Sequence, residues 1–173
     1  MQIYSLYTRE DSLCQSNGYF SLNLRKSCVS TIIELLEIKE HDYIGWVGFG
    51  DGRELFSVAS MYPHNIFVGF EINTTAFSIA KRVLNKLQLK NVQLYEKDIL
   101  SFNSEKFTHV YSTAIGGPLL YQYLHELCTH RLCMLKEMWG DIPCDASVKR
   151  VFLSGSGGRK QLCAATPYLT CKN

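Results

Sequence analysis

Proline is scarce in this chain, four in 173 residues, and the four are never clustered, so no Pro-rich linker divides it. Long hydrophobic runs are missing as well: no stretch approaches the ~18–20 consecutive apolar residues of a membrane-spanning helix. The opening stretch MQIYSLYTREDSLCQ brings acidic residues early and has no continuous apolar segment, which argues against a signal peptide or a membrane anchor. Neither sign of charge is in excess. Eighteen basic and 16 acidic residues leave a net +2, with no long basic stripe of the kind a dedicated nucleic-acid binder displays. A disulfide framework is also lacking, because seven cysteines is an odd count and their spacing is irregular. Reduced thiols in the cytoplasm or nucleus are expected. What remains is a chain with 46% hydrophobic residues, the size and composition of one domain over 1–173 with a core of its own.

Hydrophobic spacing supplies the elements. From Ser27 to Ile38 the apolar residues Val29, Ile32, Ile33, Leu35, Leu36 and Ile38 recur at helical intervals. Tyr43–Val47 is a short apolar run that stops at glycines, which predicts a buried strand. Glu54–Ser60 predicts a helix of about two turns, and Ile66–Ile72 a second strand. Thr74–Leu89 places Ala76, Phe77, Ile79, Ala80, Val83, Leu84 and Leu87 on one helical face, with Lys81, Arg82 and Lys86 outside. Strands are expected at Val92–Tyr95 and Thr108–Ser112, and a helix from Gly117 to Cys133. Lys149–Ser154 and Gln161–Thr166 flank Gly155-Ser156-Gly157-Gly158 and predict an antiparallel hairpin. Alternating helix and strand means a Rossmann-like α/β sandwich: a mostly parallel sheet, helices on both faces, and the hairpin last.

The chemistry concentrates between Tyr43 and Glu71. A strand runs into Gly48-Phe49-Gly50-Asp51-Gly52, a helix follows, and a second strand ends at Glu71. Glycines allow the tight turn and close ligand approach. Glu71 follows Gly52 by 19 residues, near the ~20-residue separation at which an acid meets ribose hydroxyls. Dinucleotide turns read G-x-G-x-x-G, whereas the spacing here is G-x-G-x-G. Asp51 and Glu54 add negative charge at the helix start, unfavourable for a pyrophosphate and favourable for the sulfonium and ammonium of S-adenosylmethionine (SAM). SAM is therefore preferred to NAD as cofactor. Asp98, just past the third strand, faces the same expected crevice. Its carboxylate could accept from the adenine amine while Ile99 packs on the ring.

The segments GWVGFGDG, FVGFEIN, YEKDIL and VYSTAIGGP stand in the order and spacing of the first four motifs of class I SAM methyltransferases. The chain resembles that superfamily from Tyr43 to Pro118. Its nearest likeness is to the non-SET histone lysine methyltransferases of the disruptor-of-telomeric-silencing type, on Asn17–Ile38 with YIGWVGFGDG, on EKDIL and on Gly117-Pro118. The resemblance implies SAM bound by Gly48, Phe49, Gly50, Gly52, Glu71, Ile72, Asp98 and Ile99. It implies a macromolecular substrate, protein lysine first and nucleic acid as the alternative, with no membrane partner. Ser112 and Thr113 are the expected catalytic, pocket-lining residues. Tyr19 and Phe20 are candidates to close over the cofactor.

Two departures from the family pattern stand out. Trp46 holds the position where the first motif normally opens with an acid, and Ser112, Thr113, Ala114, Ile115 and Gly116 replace the asparagines and aromatics that line a lysine channel. A catalytically silent methyltransferase-like module that binds a partner protein or nucleic acid is the rival reading. The lack of extra decoration points to a partner subunit or homo-oligomer for substrate recognition.

No metal is expected. His125, Cys128, His130 and Cys133 on one continuous helix cannot converge tetrahedrally on an ion. Ser154–Lys160 lacks phosphate-loop spacing and is expected as a hairpin turn. Lys81, Arg82, Lys86 and Lys90 are expected as a solvated helix face.

Overall fold

The computed structural model describes residues 3–8, 11, 28–102, 106–114, 116–135, 149–155 and 158–165. Tyr19, Phe20 and the segment before Cys28 in the expected first helix lie outside them, apart from those early residues. Four helices, α1 (Cys28–Leu36), α2 (Arg53–Ala59), α3 (Thr74–Leu87) and α4 (Gly117–Leu127), accompany seven strands. The strands are β1 (Tyr43–Val47), β2 (Ile66–Glu71), β3 (Val92–Glu96), β4 (Phe107–Ser112), β5 (Cys128–Leu135), β6 (Lys149–Gly155) and β7 (Gly158–Ala165).

They form one sheet in the order β3-β2-β1-β4-β5-β7-β6. The first five are mutually parallel, and β7 runs antiparallel to both its neighbours. The inner strands are apolar on both sides because helices cover both faces. Ile44, Phe67 and Val110 are fully buried or within 1% of it, as are Trp46, Val68 and Phe70. Helix α3 shows the amphipathic division the spacing predicts. Ile79, Ala80, Val83 and Leu87 are buried, and Lys81 and Lys86 are exposed. It begins where the Asn73 side chain accepts the Ala76 amide at 2.9 Å, filling a donor that the first helical turn would leave unsatisfied.

Topology then fixes where a ligand can sit. From β1 the chain winds outward through β2 to β3, and returns to place β4 on the other side of β1. The loops leaving β1 and β4 therefore diverge and open a crevice at the carboxyl ends of these strands.

One expected element divides in two. The stretch from Gly117 to Cys133 is helical only to Leu127, and β5 starts at Cys128. Both edges of β5 are engaged: Val110 pairs with Leu132 on one side, and Ala165 pairs with Leu132 on the other. This long-range pairing is worth more than the local helical pattern. The two strands expected after Leu132 do form the hairpin, in register from Lys149↔Ala164 to Gly155↔Gly158. Among the described residues no helix is long and apolar enough to cross a membrane.

Candidate functional site

The crevice is built first from backbone. Gly48, Gly50 and Gly52 all have positive φ, at 74°, 60° and 84°. At Gly48 an added Cβ would lie 2.9 Å from the Ala114 amide nitrogen, and at Gly52 2.5 Å from the Phe56 ring. Glycine is required at these two positions by both conformation and space. Phe49 points the other way. It is 3% exposed and lies against Phe77, ring centroids 6.3 Å apart, so only its backbone faces the loop.

Groups from the ends of two strands, β2 and β4, hold this loop. Gly48 N–H donates to the Phe70 carbonyl at 2.8 Å. The Gly50 amide donates to Glu71 Oε2 at 2.8 Å, and the Asn73 amide to Glu71 Oε1 at 2.8 Å. Each carboxylate oxygen thus has one backbone donor and retains lone pairs for another. Across the crevice, the Thr113 hydroxyl donates to the Gly48 carbonyl at 2.8 Å. Ser112 is fully buried, and its hydroxyl accepts the Ala114 amide at 3.3 Å. Both hydroxyls bond backbone, Thr113 as donor and Ser112 as acceptor.

Glu71 and Asp98 come to the same rim. Glu71 is paired with Glu96 on the neighbouring strand, and Asp98 follows two residues later. Asp98 is exposed, and its Oδ1 accepts the Leu100 amide at 3.0 Å, capping a 3-10 turn at Ile99–Ser101. The apolar surface on this rim belongs to Ile72, 64% exposed, and Leu100, 48% exposed, while Ile99 is 3% exposed and sits in the core. A polar carboxylate pair beside open apolar surface suits a nucleoside: hydroxyls and an amine to bond, a flat ring to cover.

Three features depart from the sequence reading. Asp51 does not lend free negative charge to the helix start. It is 2% exposed and forms an ion pair with Arg53 through two guanidinium nitrogens. The local balance is therefore one negative charge from Glu54, not two, and discrimination against a pyrophosphate rests on the glycine spacing. Arg82 is only partly solvated, since its guanidinium bonds both Asp11 carboxylate oxygens at 2.7 Å. The His125–Cys133 cluster is broken by the helix-to-strand change, and no group of metal-binding side chains exists among the described residues. Burial pushes the Cys128 thiol up to about 11, which keeps it protonated and a poor ligand.

Trp46 is 1% exposed and packs on Tyr111 at 4.4 Å between ring centroids. Where the resembled families carry an acid, this chain has a buried aromatic pair. The sequence reading also missed Tyr7. Its hydroxyl donates to the Asp51 carbonyl at 2.9 Å, and no periodicity or motif signals a contact 44 residues distant.

Comparison with known proteins agrees with this geometry. A family model described as "Putative methyltransferase" matches residues 44–114, from β1 to the loop after β4. A tRNA (guanine-N(7)-)-methyltransferase of Thermotoga maritima is 40% identical over 52 residues, 30% of this chain and 17% of that enzyme. The chain therefore aligns with less than a fifth of this curated relative. Among solved structures, an RNA methyltransferase from Salinibacter ruber in complex with S-adenosyl-L-homocysteine superposes with a TM-score of 0.70 at 20% identity, over 86% of this chain and 95% of that one. A SAM-dependent O-methyltransferase from Thermotoga maritima gives 0.68 at 16% identity, over 91% and 71%.

Proposed function

We propose that this member of the class I SAM-dependent methyltransferase superfamily binds SAM in the β1–β4 crevice and transfers its methyl group to RNA, at a guanine ring nitrogen. The observation that carries the reading is the junction of Glu71 with the glycine loop, a carboxylate 2.8 Å from the Gly50 amide at the topological switch of the sheet. In this reading Gly48, Gly50 and Gly52 admit the cofactor to the backbone and Glu71 takes the ribose hydroxyls. Asp98 meets the adenine amine, and the exposed Ile72 and Leu100 supply apolar surface for the ring, while Ile99 is buried in the core and does not reach it.

RNA replaces protein lysine as the favoured substrate. The 52-residue match is to a tRNA enzyme, and one of the two solved structures above is an RNA enzyme. Chemistry points the same way. When bound, SAM supplies a methyl group already activated by the sulfonium. A guanine N7 attacks with a lone pair and carries no proton, whereas a lysine must first lose one. Among the described residues the crevice holds glycines, Glu71, Asp98 and two hydroxyls bonded to backbone, and none of these is a His or Lys. Alignment and exclusion of water are what such a site contributes. Exposed Lys81, Lys86, Lys90, Lys97 and Lys106 would favour a polyanion, in which case binding should weaken steeply with salt.

The test combines SAM calorimetry with transfer of a radiolabelled methyl group to unfractionated tRNA and, separately, to histones. Label that is released by ribonuclease and sits on guanine N7 supports the reading. Label on histones alone would overturn the substrate, and absence of binding heat would overturn the cofactor. SAM binding without transfer to either would favour the silent module, the reading that buried Trp46 keeps open.

A further inference from the structure

We infer that the described residues Ile3–Thr8, together with Asp11, act as a strap that sets the cofactor loop, with Tyr7 as a positioning residue for it. This rests on the SAM site proposed above. The segment is anchored at two places at once, on the loop after β1 and on α3. Ile3–Leu6 forms a 3-10 turn that packs on α2. At one end the Tyr7 hydroxyl donates to the Asp51 carbonyl at 2.9 Å. At the other, Asp11 is bonded by Arg82 of α3 at 2.7 Å and by the Thr8 amide at 2.6 Å. Between these anchors lies the junction where Gly52 passes beneath Ala80 of α3, an added Cβ there falling 3.2 Å from the Ala80 side chain.

Arg53 links strap and loop electrostatically. Its guanidinium pairs with Asp51 and lies 4.7 Å from the Tyr7 ring centroid and 5.9 Å from that of Tyr4. The rings exclude water from a pair whose side chains are 12% and 2% exposed, which strengthens the attraction and narrows the conformations open to Asp51. Burial, and then the charge of Asp51, push the Tyr7 hydroxyl well above its ordinary range, so it stays a donor at any working pH. Asp51 lies between Gly50, whose amide bonds Glu71, and Gly52, which opens α2. Holding its carbonyl from outside therefore limits both flanking peptides. A loop of three glycines is otherwise costly to order on binding. The strap meets that cost in the free protein, so Tyr7 acts on cofactor affinity through Asp51 without touching the cofactor.

Tyr7→Phe removes the hydroxyl bond and keeps the ring over Arg53. Tyr7→Ala removes both. Two measurements on the full chain separate strap from cofactor. Amide hydrogen exchange of Gly50–Gly52 without cofactor is expected to rise roughly five- to tenfold in Tyr7→Phe, the scale of one hydrogen bond, and further in Tyr7→Ala. The SAM dissociation constant is expected to rise by a similar factor, with turnover at saturating SAM unchanged. Unaltered loop exchange in both variants would overturn the strap. Faster exchange with an unaltered SAM constant would overturn its coupling to the cofactor. Wild-type protein that takes up no SAM would refute the functional reading and, with it, the coupling, and the exchange measurement would still decide the strap.

Discussion

The Thr113 hydroxyl donates to the Gly48 carbonyl at 2.8 Å, tying the end of β4 to the first glycine after β1 across the switch point of the sheet. The Thr113 amide adds a second tie, to the Val47 carbonyl at 3.1 Å. Thr113 thus shapes the loop that the glycines form. Thr113→Val keeps the side-chain volume and leaves the Gly48 carbonyl without its partner. It should cost about 1–2 kcal/mol, read as a lower urea midpoint and weaker SAM binding, while Thr113→Ser should restore most of both.

Glu71 meets the same loop from the β2 side. If its carboxylate also takes the ribose, Glu71→Ala should weaken SAM by about 1.5–3 kcal/mol, the range for a hydrogen bond to a charged group. Glu71→Gln keeps the acceptor oxygen and should fall between. An unchanged dissociation constant by calorimetry would remove Glu71 from the ribose role.

Two glycines with positive φ make a controlled comparison. Gly117→Ala meets only the backbone penalty, because nothing lies within 4 Å of the added carbon, and should cost about 1 kcal/mol. Gly52→Ala adds a contact 2.5 Å from the Phe56 ring and should cost roughly 2–4 kcal/mol. Equal melting points for the two variants would contradict the packing described around Gly52.

His109 should make stability depend on pH. It is fully buried, with Nδ1 3.3 Å from an Asp42 carboxylate oxygen. Burial lowers its pKa to about 4, and His130, Arg131 and Lys39 act in the same direction against the pull of Asp42. The native state therefore stays unprotonated where the unfolded chain, near 6.5, takes up a proton. Stability should be flat above about pH 6.5 and fall as pH drops toward 4, by roughly 2–3 kcal/mol in total. Urea unfolding at pH 7.5 and 5.0 should show this slope in the wild type and a flatter one in His109→Gln.

Breaking the buried pair beside the loop should be costly. Arg53→Gln leaves Asp51 charged, 2% exposed and without its guanidinium. A loss of about 3 kcal/mol is expected for an ion stranded in this way, measured by chemical denaturation.

From Tyr43 to Ser112 the sequence by itself determined the order of strands and helices, because each element announces itself through short-range periodicity and each boundary through a glycine or a cap. It likewise located the glycine loop and Glu71 as one constellation, since a parallel β-α-β unit leaves no other place for the end of its second strand. Tertiary structure alone decided the fate of Cys128–Leu135. A short mixed stretch such as CTHRLCML announces neither period, and only pairing with β4 and β7 makes it a strand. The charge state around the loop was decided there too: Asp51 reads as a free acid until folding brings Arg53 and the tyrosine rings over it. The same holds for Tyr7, Arg82 and Thr113. Each acts through a contact set by the docking of distant segments, and no local pattern in a chain encodes a partner 44 to 71 residues away.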